Sequence, residues 1–310
     1  MHLKTVDYKL TTDTPPAHYK FSYDQNLYHR IEYLECQSKL PGSTFWLCDH
    51  PSAQIHGVIH FHLEGSRAVS HAYAPFGSFD GKIIPNNMVE NFISYITKTL
   101  IKHGLKQMQF NQPAPFYSAG SGWAQVLRSL GFSVRHSINH HVIVDKFPLR
   151  DKMHLMEKRK LTRCEEFCFK LQPLSFFSRI YQFIKACRQE RNQSLSMSFE
   201  SLEKVIRKLP ANFLLCTASY GNTLAAAAIV IKVTSRCWYQ FYPAHNNKFN
   251  RESPLVFLMS ELYAHARKEG VEIIDLGTSE DQGLPNKGLL TFKKRIGGIT
   301  TMKSSYFKTI

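Results

Sequence analysis

The residues best suited to chemistry lie in the C-terminal third of the chain. Asp275 sits between Ile274 and Leu276 at the carboxyl end of an apolar strand, the position where open α/β sheets gather ligands. A carboxylate there is a candidate base or amine anchor; it serves equally well as a cap for the turn Gly277-Thr278-Ser279. Ser279 carries the same two readings, capping being the commoner. Lys293-Lys294-Arg295 falls on a helix, where three consecutive side chains point three ways and one or two reach any single cleft. Near a helix C-terminus such cations are also favourable in their own right. With Lys248, Arg251 and Lys287, Lys293 is among the best binders of a phosphate or carboxylate. His60 and His62 alternate on a strand and share a face, but no nearby cysteine or carboxylate pattern completes a metal site, and no metal is expected. His140 and His141 point to opposite faces, and Cys164 and Cys168 read as buried thiols. No G-x-S-x-G, Walker or dinucleotide fingerprint is present.

Charge indicates what such a site would meet. The 310 residues include 39 Lys and Arg against 24 acids. Residues 1–145 hold 12 basic and 10 acidic residues, whereas residues 146–310 hold 27 and 14. A net +2 against +13 directs the second half toward something anionic (cofactor phosphates, nucleic acid or an acidic lipid surface), unless it is simply a solvated basic face. At 43% apolar the chain is not disordered, and its length suits about two domains. The longest aliphatic run, Leu224–Ile231, has eight residues, short of the ~20 that span a bilayer. The polar start, Met1 to Lys9, lacks an apolar signal region. Seven cysteines, never in a CxxC pair, predict a reduced, cytoplasmic setting.

The elements that must position these residues come in two matching series. Residues 1–40 carry no assignable pattern. In the first half, Thr44–Cys48, Gln54–His62 and Arg67–Ala74 read as an antiparallel meander. A helix from Pro85 to Lys102 follows, then a strand Lys106–Asn111, a helix Trp123–Leu130 and a strand Phe132–Val144. In the second half, a strand Arg163–Leu171 and helices Leu174–Gln189 and Ser198–Lys208 precede a meander of Phe213–Ser219, Thr223–Val233 and Cys237–Tyr242. Ser253-Pro254 then opens a helix to Lys268. Strand Glu272–Leu276, helix Asn286–Ile296 and strand Thr300–Phe307 complete the series. Tyr73-Ala74-Pro75 ending a strand answers Phe241-Tyr242-Pro243. The prolines precede the helix-ending glycines, Gly104 and Gly270, by 29 and 27 residues. An internal repeat of this kind is a statement about the whole fold, and it predicts an α/β (α+β) protein with units at 1–145 and 146–310.

The order in residues 163–307 resembles the GNAT acyltransferase fold, and a tandem of such units is similar to the Fem-type aminoacyl transferases and the double-GNAT proteins related to them. The residues that carry the likeness are Tyr242-Pro243, Ser253-Pro254, Asp275-Leu-Gly277-Thr-Ser279, Gly283-Leu284, Asn286-Lys-Gly288-Leu289 and Phe292-Lys-Lys-Arg-Ile-Gly297-Gly298. In the first unit Ala74-Pro-Phe-Gly-Ser-Phe79 is similar to the loop found there. The resemblance implies two mixed, mostly antiparallel sheets flanked by helices, with the C-terminal unit as the working half. It implies direct transfer of an acyl or aminoacyl group from an anionic donor to an amine, the donor being acyl-CoA, acyl-carrier protein or aminoacyl-tRNA. On that reading the central strand splays from its neighbour after Pro243, Tyr242 is a proton donor or substrate hydrogen bonder, and Asp275 and Ser279 complete the catalytic set. Lys248, Arg251, Ser253, Lys287 and Lys293 would hold the donor. One departure bears on CoA: where GNAT enzymes place Q/R-x-x-G-x-G/A, this chain has Asn246–Ser253 with no glycine, and bulky side chains obstruct backbone approach to a pyrophosphate. The alternative class is a non-catalytic GNAT-like module that binds RNA or another polyanion by charge.

Overall fold

The computed structural model describes residues 8–37, 41–117, 122–281 and 284–310; Gly283 of the motif above lies outside the described residues. Two compact units emerge, Met1–Ser137 with Met302–Ile310, and Ile138–Thr301.

The first unit is built on β1 (Tyr8–Thr11), β2 (Gly42–Asp49), β3 (Gln54–Glu64), β4 (Arg67–Ser70), α1 (Asn86–Lys102), β5 (Gln107–Asn111), α2 (Trp123–Ser129) and the start of β6 (Ser133–Ile143). β1 to β4 pair antiparallel in order, and β5 joins β4 in parallel. Along α1, Val89, Phe92, Ile93, Ile96 and Leu100 recur at helical spacing and are buried against Phe45, Leu47, Ile59 and Phe61 of the sheet. Each such side chain contributes about 1.5–3 kcal/mol by leaving water. Gly104, at φ 78°, turns the chain out of α1. β4 stops at Ser70 rather than Ala74, because His71 adopts φ 55°; Pro75 therefore lies beyond the strand.

The second unit contains α3 (Leu155–Thr162), β7 (Phe167–Gln172), α4 (Phe177–Gln189), α5 (Phe199–Lys208), β8 (Phe213–Tyr220), β9 (Thr223–Lys232), β10 (Cys237–His245), α6 (Pro254–Lys268), β11 (Ile273–Thr278), α7 (Lys287–Arg295) and the start of β12 (Ile299–Thr309), whose residues from Met302 belong to the first unit. β7 to β10 form an antiparallel run, β11 joins β10 in parallel, and Asn139–Ile143 of β6 closes the sheet on β11. The order meander, helix, parallel strand, helix thus occurs in both units, as the repeat required.

Three boundaries depart from the sequence reading. The division falls at 137/138 rather than 145/146, because residues 139–143 pair with β11 and residues 305–309 pair with β5. Residues 155–162 are helical and 163–166 are a turn, where a strand was expected from Arg163; Met156–Leu161 is a run of good helix formers. β10 continues through Pro243 to His245, and its register with β9 pairs Pro243 with Ala228.

Candidate active site in the C-terminal unit

Strands β10 and β11 pair only from Cys237↔Ile273 to Tyr239↔Asp275. Beyond that point β10 runs on to His245 and β11 to Thr278 without pairing, so the splay opens at Tyr239, four residues before the expected Pro243.

Register places the side chains. Trp238 and Ile274 are partners and pack in the core with α6, so Tyr239 and Asp275 face the other way. A bulge in β10 leaves Phe241 without a partner on β9, with Val230↔Gln240 followed by Ile229↔Tyr242. The extra residue returns Tyr242 to the face of Tyr239, which a regular strand would deny it. Tyr242, Tyr239 and Asp275 therefore share one sheet face, together with His141 and Asn139, the partners of Asp275 and Thr278 on β6.

Asp275 is 5% exposed, and its Oδ1 accepts from Asn139 Nδ2 (2.9 Å) and from the Gly277 backbone N–H (2.8 Å). Gly277 sits at φ 73°, and a Cβ there would lie 3.0 Å from the Tyr239 ring; glycine is required both by the conformation and by the ring. Lys293, on α7, is also 5% exposed. Its ammonium donates to the carbonyls of Gly277 (2.9 Å) and Thr278 (2.8 Å). Burial pushes its pKa down to about 8, opposed by the Asp275 carboxylate and assisted by the Arg188 guanidinium. Arg188, on α4, donates to the carbonyl of Pro243 (3.2 Å) and to Gln193 (3.1 Å). Burial raises the pKa of Tyr239. A buried cation, a carboxylate and two tyrosines thus converge where the sheet opens.

The other expected residues take different places. The Tyr242 hydroxyl accepts from the Met197 N–H (2.8 Å) and shares a hydrogen bond with Ser196 Oγ (2.7 Å), so it fixes the loop between α4 and α5. Ser279 is buried beside His140, 3.4 Å from its Nδ1, and its N–H donates to the carbonyl of Ile138 (3.1 Å). Burial and the neighbouring Lys293 charge hold His140 down at about 4. Lys248, Arg251 and Lys287 are exposed. Ser253 has φ 56° and donates to the Asn250 carbonyl (3.3 Å); its side chain does not cap α6, so the Ser-Pro signal marks the helix start without supplying the cap. No recorded contact joins Arg251 or Ser253 to Asp275 among the described residues.

In the loop before α6, the N–H of Lys248 is held by Asn246 Oδ1, and those of Phe249, Asn250 and Ser253 by carbonyls of the same loop. Phe249 packs against Phe167, Tyr220 and, in one apolar cluster with Cys164, Phe257. Cys164 and Arg163 reach the carbonyls of Glu252 and Arg251 (both 3.3 Å).

Sequence reasoning missed Tyr239, Asn139, His141 and Arg188. For Tyr239 a signal existed: it lies an odd number of residues from Trp238 in a strand whose apolar partners face α6. The others arrive through the pairing of β6 with β11, which no local pattern announces.

In the first unit the matching place is laced shut. The last parallel pair there is Val69↔Gln109. Beyond it Asn111 accepts two backbone N–H groups at its carbonyl, from Gly77 (2.9 Å) and Ser78 (3.1 Å). Its own N–H donates to Ser70 Oγ (2.8 Å), and its Nδ2 donates to the Ser70 carbonyl (3.3 Å).

Residues 157–293 match the family model described as an acetyltransferase (GNAT) domain. Among solved structures the chain is similar to FemX, with 11% identity, 93% of each chain covered and a TM-score of 0.70. It is also similar to L-PGS from Bacillus licheniformis (13% identity, 82% and 81% covered, TM-score 0.58). A third likeness is to a tandem GNAT protein from the clavulanic acid biosynthesis pathway (10% identity, 88% and 84% covered, TM-score 0.51). No curated protein sequence matches this chain. The chain thus has a GNAT-type fold, Fem-like over most of its length, and residues 157–293 carry the match to the acetyltransferase (GNAT) domain.

Proposed function

We propose that the C-terminal unit transfers an acyl or aminoacyl group from an activated, anionic donor to an amine at the opening between β10 and β11. The observation that carries this reading is the buried Lys293 ammonium, held by the Gly277 and Thr278 carbonyls beside Asp275. In the reaction the amine nitrogen bonds to the carbonyl carbon of the donor ester or thioester, the bond to the leaving oxygen or sulfur breaks, and the amine loses a proton. A preorganised cation in a dry site stabilises the negative charge that develops on the carbonyl oxygen. Asp275 serves as amine anchor or base, Tyr239 lines the site and Tyr242 positions the adjoining loop. The closed counterpart in the first unit supports a buttressing role for that half.

The engaged N–H groups of Lys248, Phe249, Asn250 and Ser253 do not fit a pyrophosphate cradled on backbone, and they favour aminoacyl-tRNA or acyl-carrier protein over CoA. Lys248, Arg251 and Lys287 would then meet the donor's phosphates from the surface. Seven free thiols support the reduced, cytoplasmic setting, and no helix among the described residues is long and apolar enough to cross a membrane.

The test is an assay of purified protein with aminoacyl-tRNA, acyl-carrier protein and acyl-CoA donors against a panel of amines, read by product mass. Transfer that falls by about 10²–10³-fold in Lys293→Met is the expected result. RNA binding with steep salt dependence and no transfer from any donor would instead identify a binding module.

A further inference from the structure

The segment from Lys146 to Arg163 holds seven basic and two acidic residues, and its surroundings divide it into two faces. Leu149, Met153 and Glu157 are buried, and Leu161 packs on the same core as Leu149 and Met153. These four anchor the segment at four-residue spacing. The residues between them stand outward: Phe147 is 52% exposed, Leu155 57% and Met156 45%, among the exposed cations Lys146, Arg150 and Arg159. Of the two acids, Asp151 is exposed and offsets one of these charges, whereas Glu157 is buried and paired with Lys160. Arg267, at the end of α6, donates to the Lys146 carbonyl (3.0 Å) and adds its charge to the rim.

We infer that this face docks on an anionic lipid surface. Cations alone would suit RNA equally, but Leu155 and Met156 offer nothing to a phosphate or a base edge, whereas apolar tips ringed by Lys and Arg are what an interfacial segment inserts below the headgroups. Charge complementarity commits the occupant: a bilayer containing acidic phospholipid. The segment lies on the surface rather than spanning, and each cation near such a surface strengthens binding about fivefold. This inference stands apart from the transfer reaction, because none of these residues lines the opening at Tyr239 and Asp275.

The experiment is cosedimentation of the full chain with vesicles of phosphatidylglycerol and phosphatidylcholine, with phosphatidylcholine alone, and with bulk tRNA as competitor. The wild-type chain should bind the anionic vesicles only. Phe147→Ser/Leu155→Ser/Met156→Ser, at three exposed sites, should leave the melting curve unchanged and weaken that binding at least about tenfold while leaving any tRNA binding intact. Arg150→Glu/Arg159→Glu should weaken it further. Leu155→Trp should show a blue shift of emission on adding anionic vesicles and none with phosphatidylcholine. Absence of binding to anionic vesicles, an unshifted Leu155→Trp spectrum, or vesicle binding that the triple variant leaves unchanged would overturn the inference. tRNA binding that alone depends on Arg150 and Arg159 would assign the face to nucleic acid.

Discussion

Asp275 and Tyr239 lie opposite each other as the last paired residues of two parallel strands. Everything assigned to chemistry is arranged around the point where that pairing stops. Lys293 enters from α7, Gly277 clears space for the Tyr239 ring, and the bulge at Phe241 turns Tyr242 onto the same face.

Lys293 should be the most sensitive position. Lys293→Met is expected to lower kcat about 10²–10³-fold, the usual loss when one oxyanion-stabilising group is removed. The working form is the ammonium, so the rate should fall as pH rises through about 8. Asp275 helps hold that proton, and Asp275→Asn should move the alkaline limb to lower pH. A pH–rate profile of the two proteins checks both statements.

Gly277→Ala tests the opening itself. The backbone there is left-handed, and the new methyl would press on Tyr239. A cost of about 1–2 kcal/mol in stability should accompany a larger fractional loss of transfer, measured by denaturant titration and by the product-mass assay.

The first unit should be acid-labile. His29, His60, His62 and His71 are buried in mutual ring contact behind the sheet. Burial lowers all four pKa values, to about 4 for His29 and about 3 for His60. The unfolded chain takes up protons near pH 6.5, so stability should fall as pH drops below that value, with His29 and His60 each contributing about 1.4 kcal/mol per pH unit down to pH 4 and His62 and His71 acting in the same direction. Asp80, raised by burial to about 7, works the other way: it is protonated in the fold and ionised when unfolded, and it offsets about one histidine between pH 7 and 4. Denaturation followed from pH 7 to 4 should show the slope, and His60→Gln should flatten it by one proton.

Donor capture by surface charge is checked separately. Lys248→Ala/Arg251→Ala should weaken binding of whichever anionic donor supports transfer by about 10–100-fold, with the salt dependence of binding reduced in calorimetric titration. Unchanged affinity would place the donor elsewhere.

Much of this was legible beforehand. Helical spacing located α1 and α4, the Ser253-Pro254 start signal located α6, and paired punctuation revealed the repeat, because a period of apolar residues, a helix start and a glycine stop are local facts. Asp275 and Lys293 were also visible, as a charge in apolar company and as one of a cationic triplet. Which of the three cations turned inward was not visible; only the carbonyls of Gly277 and Thr278 decide it. Nor could the Phe241 bulge be seen, since an unpartnered residue is defined by the register of another strand. His71 ended β4 early through a left-handed backbone that sequence does not demand of histidine.

The return of residues 302–310 to the first unit has a consequence for biosynthesis. Tyr306, 1% exposed, is part of the core that also holds Trp123 and Phe110, and residues 305–309 complete the sheet beside β5. A ribosome that has delivered residues 8–137 has not yet delivered that strand, so β5 stays an open edge while the second unit is being made. The first unit therefore cannot complete its sheet before residues 305–309 have been made, and it, rather than the second unit, would lose a strand if they were removed.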